Sequence, residues 1–232
     1  MTRVLVPVEI LEGKTVSPGL MNLLGTVDVT VLGYHVLPEQ TPPDQARLQY
    51  EERATDALED LSEEFRTAGG TADYRLVFTR DREQTIERVA DEIDARAFAI
   101  SGMTGDVDRL LVSLSGDVAV DRILAFLEEL VGDREIGVTL LLAGRGAAVD
   151  EDRLDAAAER LRTAGISVRT ERAPKTSPFE GLMATVPGHD AIVMGERAPS
   201  FGSIVFGDEA DRVASASVGP VIVVRYDEAL DG

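Results

Sequence analysis

A glycine-rich segment near the end of the chain is the stretch best suited to hold an anion. Gly195, Gly202 and Gly207 lie between a continuous apolar run, residues 191–194, and a short helix predicted over residues 208–218. A glycine-rich turn that joins a buried strand to a helix exposes backbone N–H groups, and the helix dipole favours negative charge there. Phosphate binding is therefore the first chemistry that this segment suggests.

The side chains that follow the last glycine oppose that chemistry. Asp208 stands at the start of the predicted helix, and Glu209 follows it. Asp is a good helix N-cap, and capping uses the N–H groups that a phosphate would need. A like-charge contact at about 4 Å also costs roughly 1 kcal/mol in water and up to ~4 kcal/mol at a partly shielded surface. Arg197 could offset one charge, but a solvated pair with the neighbouring Glu196 explains it equally well.

No catalytic constellation is evident in the sequence. His35 and His189 are the two histidines, and neither has a metal-ligand spacing such as H-x3-H. The absence of cysteine excludes a thiol nucleophile, a thiolate metal site and a disulfide. No G-x-S-x-G or Walker motif occurs, and the 42 acidic residues are too numerous to single out an acid–base pair. The sequence therefore predicts no catalytic residue and no metal site.

The elements that must position these residues alternate between strand and helix along the whole chain. Strands are predicted at residues 3–8, 28–34, 72–78, 97–101, 109–114, 137–143, 166–172, 190–195 and 220–224. Helices are predicted at residues 13–24, 42–68, 83–93, 118–131, 150–164, 177–186 and 208–218. Most of the strands are continuous apolar runs, which is typical of strands covered on both faces. The alternation predicts the α/β class, with parallel sheets and right-handed crossovers.

Two helices of the first half carry a predicted apolar face. The helix over residues 42–68 has a stripe made by Leu48, Leu58, Leu61 and Phe65. The helix over residues 83–93 has, on one face, Ile86, Val89, Ala90 and Ile93. Such a stripe is the face that a helix packs against a core, so we expect all eight side chains to be buried.

The order of elements restarts after residue 106. The strand at 109–114 repeats the strand at 3–8, and the sequence RTAG ends a helix at both 66–69 and 162–165. The second copy has five predicted strands. The first has four, because the stretch between Gly105 and Arg109 is too short for a further helix and strand. We therefore expect two tandem domains, 1–106 and 107–232, the first lacking its last helix and strand.

The order DxIVMG, glycine loop, helix and PVxVV over residues 190–224 resembles the carboxyl-terminal signature of the universal stress protein (UspA-like) family. The resemblance implies a five-stranded parallel α/β fold of the adenine-nucleotide α-hydrolase-like kind, usually dimeric. Some members bind ATP through a loop of pattern G-x2-G-x9-G-[ST]. This chain keeps Gly195, has Ala198 in place of the second glycine, reaches Gly207 one residue early and replaces the hydroxyl residue by Asp208.

The same resemblance implies the other candidate site residues. In ATP-binding members an Asp after the first strand contacts the nucleoside; Glu9 holds that place in the first copy and Ser115 in the second. A turn or helix-cap role is the alternative for both. The resemblance thus implies a degenerate nucleotide site, mainly in the second copy, built from Glu9, Leu114, Ser115, Met194, Gly195, Arg197, Gly202, Ser203, Gly207 and Asp208.

In function, the resemblance implies a stress-response or regulatory protein without catalytic activity. It implies a homodimer, in which the two copies of one chain also pair as an intramolecular pseudo-dimer. We expect no cofactor, with ATP or another adenine nucleotide as the alternative. An ATP-using enzyme of the adenine-nucleotide α-hydrolase-like group and an accessory regulatory domain of a membrane transporter remain alternative functions.

Composition indicates where such a protein works. The net charge of −19 disfavours nucleic acid and anionic membranes as partners. No apolar run approaches the ~18 residues of a membrane span, so we expect no membrane insertion. The lack of cysteine, with an amino terminus that enters a strand directly, predicts a cytoplasmic protein. The only lysines are Lys14 and Lys175, and an acidic, lysine-poor surface predicts a halophilic protein; an ordinary acidic protein is the alternative.

The charge generates a prediction about salt. We expect the melting temperature to rise as KCl is raised from about 0.1 M to about 1 M, because the Debye length falls from about 10 Å to about 3 Å and screens the self-repulsion. Thermal melts followed by circular dichroism measure this. A sucrose series of matched osmolality separates screening from general solute exclusion. A melting temperature that stays flat or falls as KCl rises would rule out the high-salt interpretation.

Overall fold

The computed structural model describes residues 2–13, 15–38, 42–116, 118–144, 151–173, 177–196 and 219–226. The chain divides into two compact units, Met1–Ser101 and Gly102–Gly232. Each unit is a parallel sheet with helices in its crossovers, so the predicted α/β class is confirmed.

The first unit holds a sheet with the strand order β3-β2-β1-β4, in which all pairs are parallel. Its strands are β1 (Arg3–Glu9), β2 (Asp28–Val36), β3 (Thr71–Thr79) and β4 (Ala97–Ile100). Its helices are α1 (Pro18–Leu23), α2 (Pro43–Thr67) and α3 (Arg82–Glu92). The central strand β1 is covered on both faces, because consecutive side chains from Val4 to Val6 have no exposed area.

The first helix begins five residues later than predicted. Pro18 is its first residue, and the Ser17 hydroxyl accepts a hydrogen bond from the Leu20 N–H at 3.4 Å. Proline has no N–H to satisfy in a first helical turn, and its φ suits that position. Residues 10–12, which precede the predicted start, form a short 3-10 turn instead. Pro18 therefore marks the start of this helix.

The predicted apolar faces of α2 and α3 are confirmed except at one residue. Leu58, Leu61 and Phe65 of α2 are buried, and so are Ile86, Val89, Ala90 and Ile93 of the α3 segment. Leu48 is 92% exposed, so its assignment to the stripe was wrong. It lies two residues beyond the buried Ala46, and two residues turn a helix by about 200°, which places Leu48 on the opposite face.

The second unit has the strand order β7-β6-β5-β8-β9, again with parallel pairs. Its strands are β5 (Arg109–Ser113), β6 (Gly137–Ala143), β7 (Val168–Ala173), β8 (Ala191–Gly195) and β9 (Val221–Val224). Its described helices are α4 (Val120–Val131), α5 (Glu151–Thr163) and α6 (Pro178–Thr185). The strands β8 and β9 are buried along their whole length.

Strand register gives the two units matching positions. In the first unit Val4 pairs with Val29 on one side and Ala97 on the other. In the second unit Leu110 pairs with Val138 and Ala191 in the same way. Residues one step before these, such as Arg3 and Arg109, are therefore topologically equivalent. This equivalence allows the two units to be compared position by position.

Hydrogen bonds from Arg160 join α5 to α4 across the surface of the second unit. The Arg160 guanidinium contacts both carboxylate oxygens of Glu128, at 2.8 and 3.1 Å, and reaches Asp121 at 3.1 Å. The hydrogen bond to Glu128 raises the pKa of Arg160 above its ordinary value. Two parallel N–H donors to one carboxylate give a fixed geometry that a lysine ammonium cannot reproduce.

Arg160→Lys tests that geometry. We expect a loss of about 0.5–1 kcal/mol in the free energy of unfolding, since the side chain is partly exposed and such pairs are weak when solvated. Urea denaturation measures the change. Arg162→Lys is the control in the same helix, because Arg162 makes one hydrogen bond of 3.3 Å to Val168 and lies 3.9 Å from Glu159. Equal losses in both variants would contradict a special role for the fork.

Candidate functional site

The turn after β5 contains the first of the candidate residues. The Leu114 N–H donates to the Leu141 carbonyl at 2.9 Å, so the turn continues the hydrogen bonding between β5 and β6. The Ser115 hydroxyl accepts the N–H of Ala143 at 2.8 Å, and Ser115 is 1% exposed. Of the two roles weighed for Ser115, these contacts favour the structural one, because its oxygen ties the ends of the two strands together.

Little space is left beside Leu114. A cavity of about 10 Å³ is lined by Leu114, Val120, Leu142, Arg153 and Leu154. A cavity of that size holds about one water molecule. This particular cavity is therefore too small for an adenine ring.

The end of β8 contains the next two candidate residues. Met194 is buried between Ser113 of β5 and Val223 of β9 in the sheet register. Gly195 also has a packing role: a Cβ added there would lie 3.0 Å from both Cβ and Cγ1 of Val118. That is tighter than nine in ten real Cβ contacts, so a side chain at this position would require Val118 to shift by a few tenths of an ångström, whether or not an anion binds.

Glu196, which follows β8, has partners that the sequence did not indicate. Its carboxylate accepts the N–H of Tyr226 at 2.8 Å and lies 4.0 Å from Nε of Arg225. The side chains of Glu196 and Arg225 are both mostly buried. A solvated pair of Glu196 with Arg197 was one of the two alternatives expected from the sequence, and Arg197 lies outside the described residues; the adjacency of β8 and β9 brings Arg225 to Glu196. This contact could have been predicted from the sequence, if residues 191–195 and 221–224 had been recognised as neighbouring parallel strands.

Glu9, the candidate of the first unit, is the last residue of β1. It is half-buried and pairs with Tyr34 of β2 in the sheet register. The Arg82 guanidinium carbon lies 5.6 Å from the centre of the Tyr34 ring, within the range of a cation–π contact. Glu9 therefore stands at the carboxyl end of a central strand, as the resemblance implies. The other candidates that the structure describes all belong to the second unit.

The two histidines lie in different environments. The His35 ring is 5.8 Å from Tyr50 and 6.3 Å from Phe78, and its buried Nδ1 has no partner among the described residues. His189 connects α6 to β6: its Nδ1 lies 2.9 Å from the Thr185 carbonyl and its Nε2 2.9 Å from the Thr139 hydroxyl. A carbonyl oxygen only accepts, so Nδ1 of His189 carries a proton and donates.

The phosphate part of the predicted site lies outside the described residues. This applies to Arg197, Gly202, Ser203, Gly207 and Asp208, and to the predicted helix over residues 208–218. Within the described ranges, no three His, Asp or Glu side chains come close enough to hold a metal ion. In the same part of the chain, no helix is long and apolar enough to cross a bilayer.

Several solved structures are similar in fold to this chain. A universal stress protein from Archaeoglobus fulgidus DSM 4304 superposes with a TM-score of 0.64 at 17% identity, over 98% of this chain and 97% of that one. A functionally unknown protein from Pseudomonas aeruginosa PAO1, PA1789, gives 0.52 at 14% identity, over 98% and 94%. A candidate universal stress protein from Pseudomonas aeruginosa UCBPP-PA14 gives 0.50 at 13% identity, over 97% and 93%.

No protein-family model matches the sequence, and no curated protein matches it significantly. The structural likeness therefore shows the fold: this chain has the α/β fold of the universal stress proteins, as the resemblance implied. Sequence identities of this size do not carry function with them.

Ser115→Ala tests the structural role of the serine hydroxyl. We expect the free energy of unfolding to fall by about 1–3 kcal/mol, because the buried Ala143 N–H loses its partner. Chemical denaturation measures the loss. Ser62→Ala is a matched control, since Ser62 is also buried and its hydroxyl has no partner among the described residues. A loss no larger than that of Ser62→Ala would show that the Ser115 contact contributes nothing.

Proposed function

We propose that the protein is a universal-stress-type regulatory or stress-response protein without catalytic activity. The observation that carries the proposal is the use of polar groups at the carboxyl ends of the strands of the second unit. The Ser115 hydroxyl accepts from Ala143, and the Glu196 carboxylate accepts from Tyr226. These groups stand where an α/β protein places ligand-binding residues, yet they hold neighbouring strands together.

A degenerate nucleotide site follows from the same contacts. Gly195 allows the close approach of Val118, so a glycine at this position has a packing explanation that does not involve a phosphate. The acidic pair Asp208 and Glu209 follows Gly207 in the sequence, where an anion would need hydroxyl and N–H donors. We infer that neither ATP nor another adenine nucleotide is a tightly bound resident cofactor.

The proposal includes a tandem arrangement, with domains 1–106 and 107–232 and a truncated first copy. Support comes from the strand orders: β3-β2-β1-β4 in the first unit matches β7-β6-β5-β8 in the second, which adds β9. Homodimer formation, pairing of the two copies within one chain, a cytoplasmic location and adaptation to high salt belong to the same proposal. The net charge of −19 supports the last of these.

Titration with ATP tests the proposed loss of nucleotide binding. We expect no heat and no change in melting temperature up to about 1 mM ATP in about 1 M KCl, a salt level that also weakens phosphate contacts. A ligand at about 100 times its Kd stabilises a protein by about 2.7 kcal/mol, so a site of ~10 µM would be evident. Saturable binding, or a nucleotide found by mass spectrometry in the purified protein, would refute the proposal.

Two substitutions at one position separate charge from loop length. Asp208→Asn removes the negative charge but keeps a capping side chain, and Asp208→Ser supplies the hydroxyl of the ATP-binding pattern. If the carboxylate is the obstacle, both variants gain ATP binding. If neither gains it, the shortened loop is the cause.

Release of phosphate or pyrophosphate from ATP by the unmodified protein would instead support the alternative of an ATP-using enzyme.

A further inference from the structure

A second cavity opens at the amino ends of β5, β6 and β7, the edge of the sheet opposite to the candidate nucleotide site. Its volume is about 430 Å³, within the usual range of small-molecule sites. The polar and charged residues that line it include Arg109, Thr139, Ser167, Arg169, Glu171 and His189. None of the residues proposed for nucleotide binding takes part in it.

The two arginines are the main charged donors of this cavity. Arg109 and Arg169 are exposed, and neither guanidinium has a hydrogen bond or an ion pair with a described residue. The Arg109 side chain extends over Gly188, because its Nη1 is 3.8 Å from the place of a Cβ there. Glu171 is the one carboxylate among the described lining residues, so the lining carries a net charge of about +1 with His189 neutral. A positive lining in a chain of net charge −19 points to an anionic ligand.

At the equivalent corner of the first unit, the charged side chains are hydrogen-bonded within the protein. There the Arg3 guanidinium donates to the Ile93 carbonyl at 3.0 Å. The Asp28 carboxylate, which stands opposite Arg3 in the register, accepts a hydrogen bond from the Thr71 hydroxyl. The cation and the carboxylate of this corner therefore both have partners within the protein.

Register assigns the second unit a glycine where the first has that carboxylate. Arg109 pairs with Gly137 as Arg3 pairs with Asp28. A Cβ on Gly137 would have only ordinary contacts, 3.7 Å to the Asp108 carbonyl and 4.0 Å to Cγ of Arg109. Close packing therefore does not require glycine at this position. Its lack of a side chain leaves the space in front of Arg109 open.

His189 contributes a fixed wall. Both of its ring nitrogens are engaged, Nδ1 by the Thr185 carbonyl and Nε2 by the Thr139 hydroxyl. The ring therefore keeps one orientation against the cavity. A preformed wall lowers the entropy cost of binding, since fewer side chains must be ordered by the ligand.

We propose that this cavity binds a small organic anion, with Arg109 and Arg169 holding a carboxylate or phosphate group. Guanidinium groups match both oxyanions, because two parallel N–H groups reach two oxygens. Glu171 accepts a hydrogen bond from a hydroxyl or amino group of the same ligand. The class is therefore a hydroxylated or aminated small acid. The inference is independent of the proposed loss of nucleotide binding, which concerns the other edge of the sheet.

Two probes test the site, malate for the carboxylate class and glycerol 3-phosphate for the phosphate class. Each is titrated to about 20 mM into ¹⁵N-labelled full-length protein, with KCl adjusted to constant ionic strength because screening weakens anion contacts. We expect saturable shifts of the backbone amide signals of Gly137, Ser167 and Gly188 with at least one probe. The probe that saturates identifies the class. If neither probe saturates, the proposal is wrong.

Three variants test whether the probe binds in this cavity. Arg109→Gln removes one guanidinium, and Gly137→Asp restores the carboxylate of the first unit; each should weaken binding by about tenfold or more. Arg80→Gln, an exposed arginine of the first unit, is the control and should leave the affinity unchanged. Circular dichroism melts verify that each variant is folded. If Gly137→Asp does not fold, the result for Arg109→Gln decides the test. Unchanged affinity in a folded Arg109→Gln protein would overturn the proposal.

Discussion

Burial of the central strands on both faces is the constraint on which the rest of this structure depends. The side chains of Leu5 in β1, Leu111 in β5 and Val193 in β8 have no exposed area, so helices must cover both sides of each sheet. Parallel neighbours then require a crossover between successive strands. Because the faces are filled with aliphatic side chains, polar chemistry is left to the two edges, where the strands begin and end.

At the carboxyl edge of the second unit, satisfying the backbone competes with binding a ligand. An unsatisfied buried N–H costs about 1–3 kcal/mol, so each polar side chain that accepts from the backbone has an immediate structural use. Ser115 and Glu196 both do this, toward Ala143 and Tyr226. Such contacts stabilise the strand ends whether or not a ligand binds at this edge.

At the amino edge, the two units differ in whether the arginine at the start of the central strand has a partner within the protein. Two topologically equivalent corners differ at the position opposite the arginine, which is Asp28 in the first unit and Gly137 in the second. In the first, the carboxylate and Arg3 are each engaged within the protein. In the second, Arg109 faces open space in a cavity of about 430 Å³. Residues at strand ends tolerate this divergence because they lie outside the buried layers, where a change of volume would be costly.

The helices and strands could be predicted from the amino-acid sequence, because their signals are local. Apolar runs and flanking glycines located β6 at residues 137–143, and helical spacing identified the buried face of α3. Contacts between side chains that are distant in the chain could not be predicted in this way. Ser115 reaches Ala143, and Glu196 reaches Arg225. Those contacts depend on strand order and register, which relate residues far apart in the chain and leave no periodic trace in the sequence.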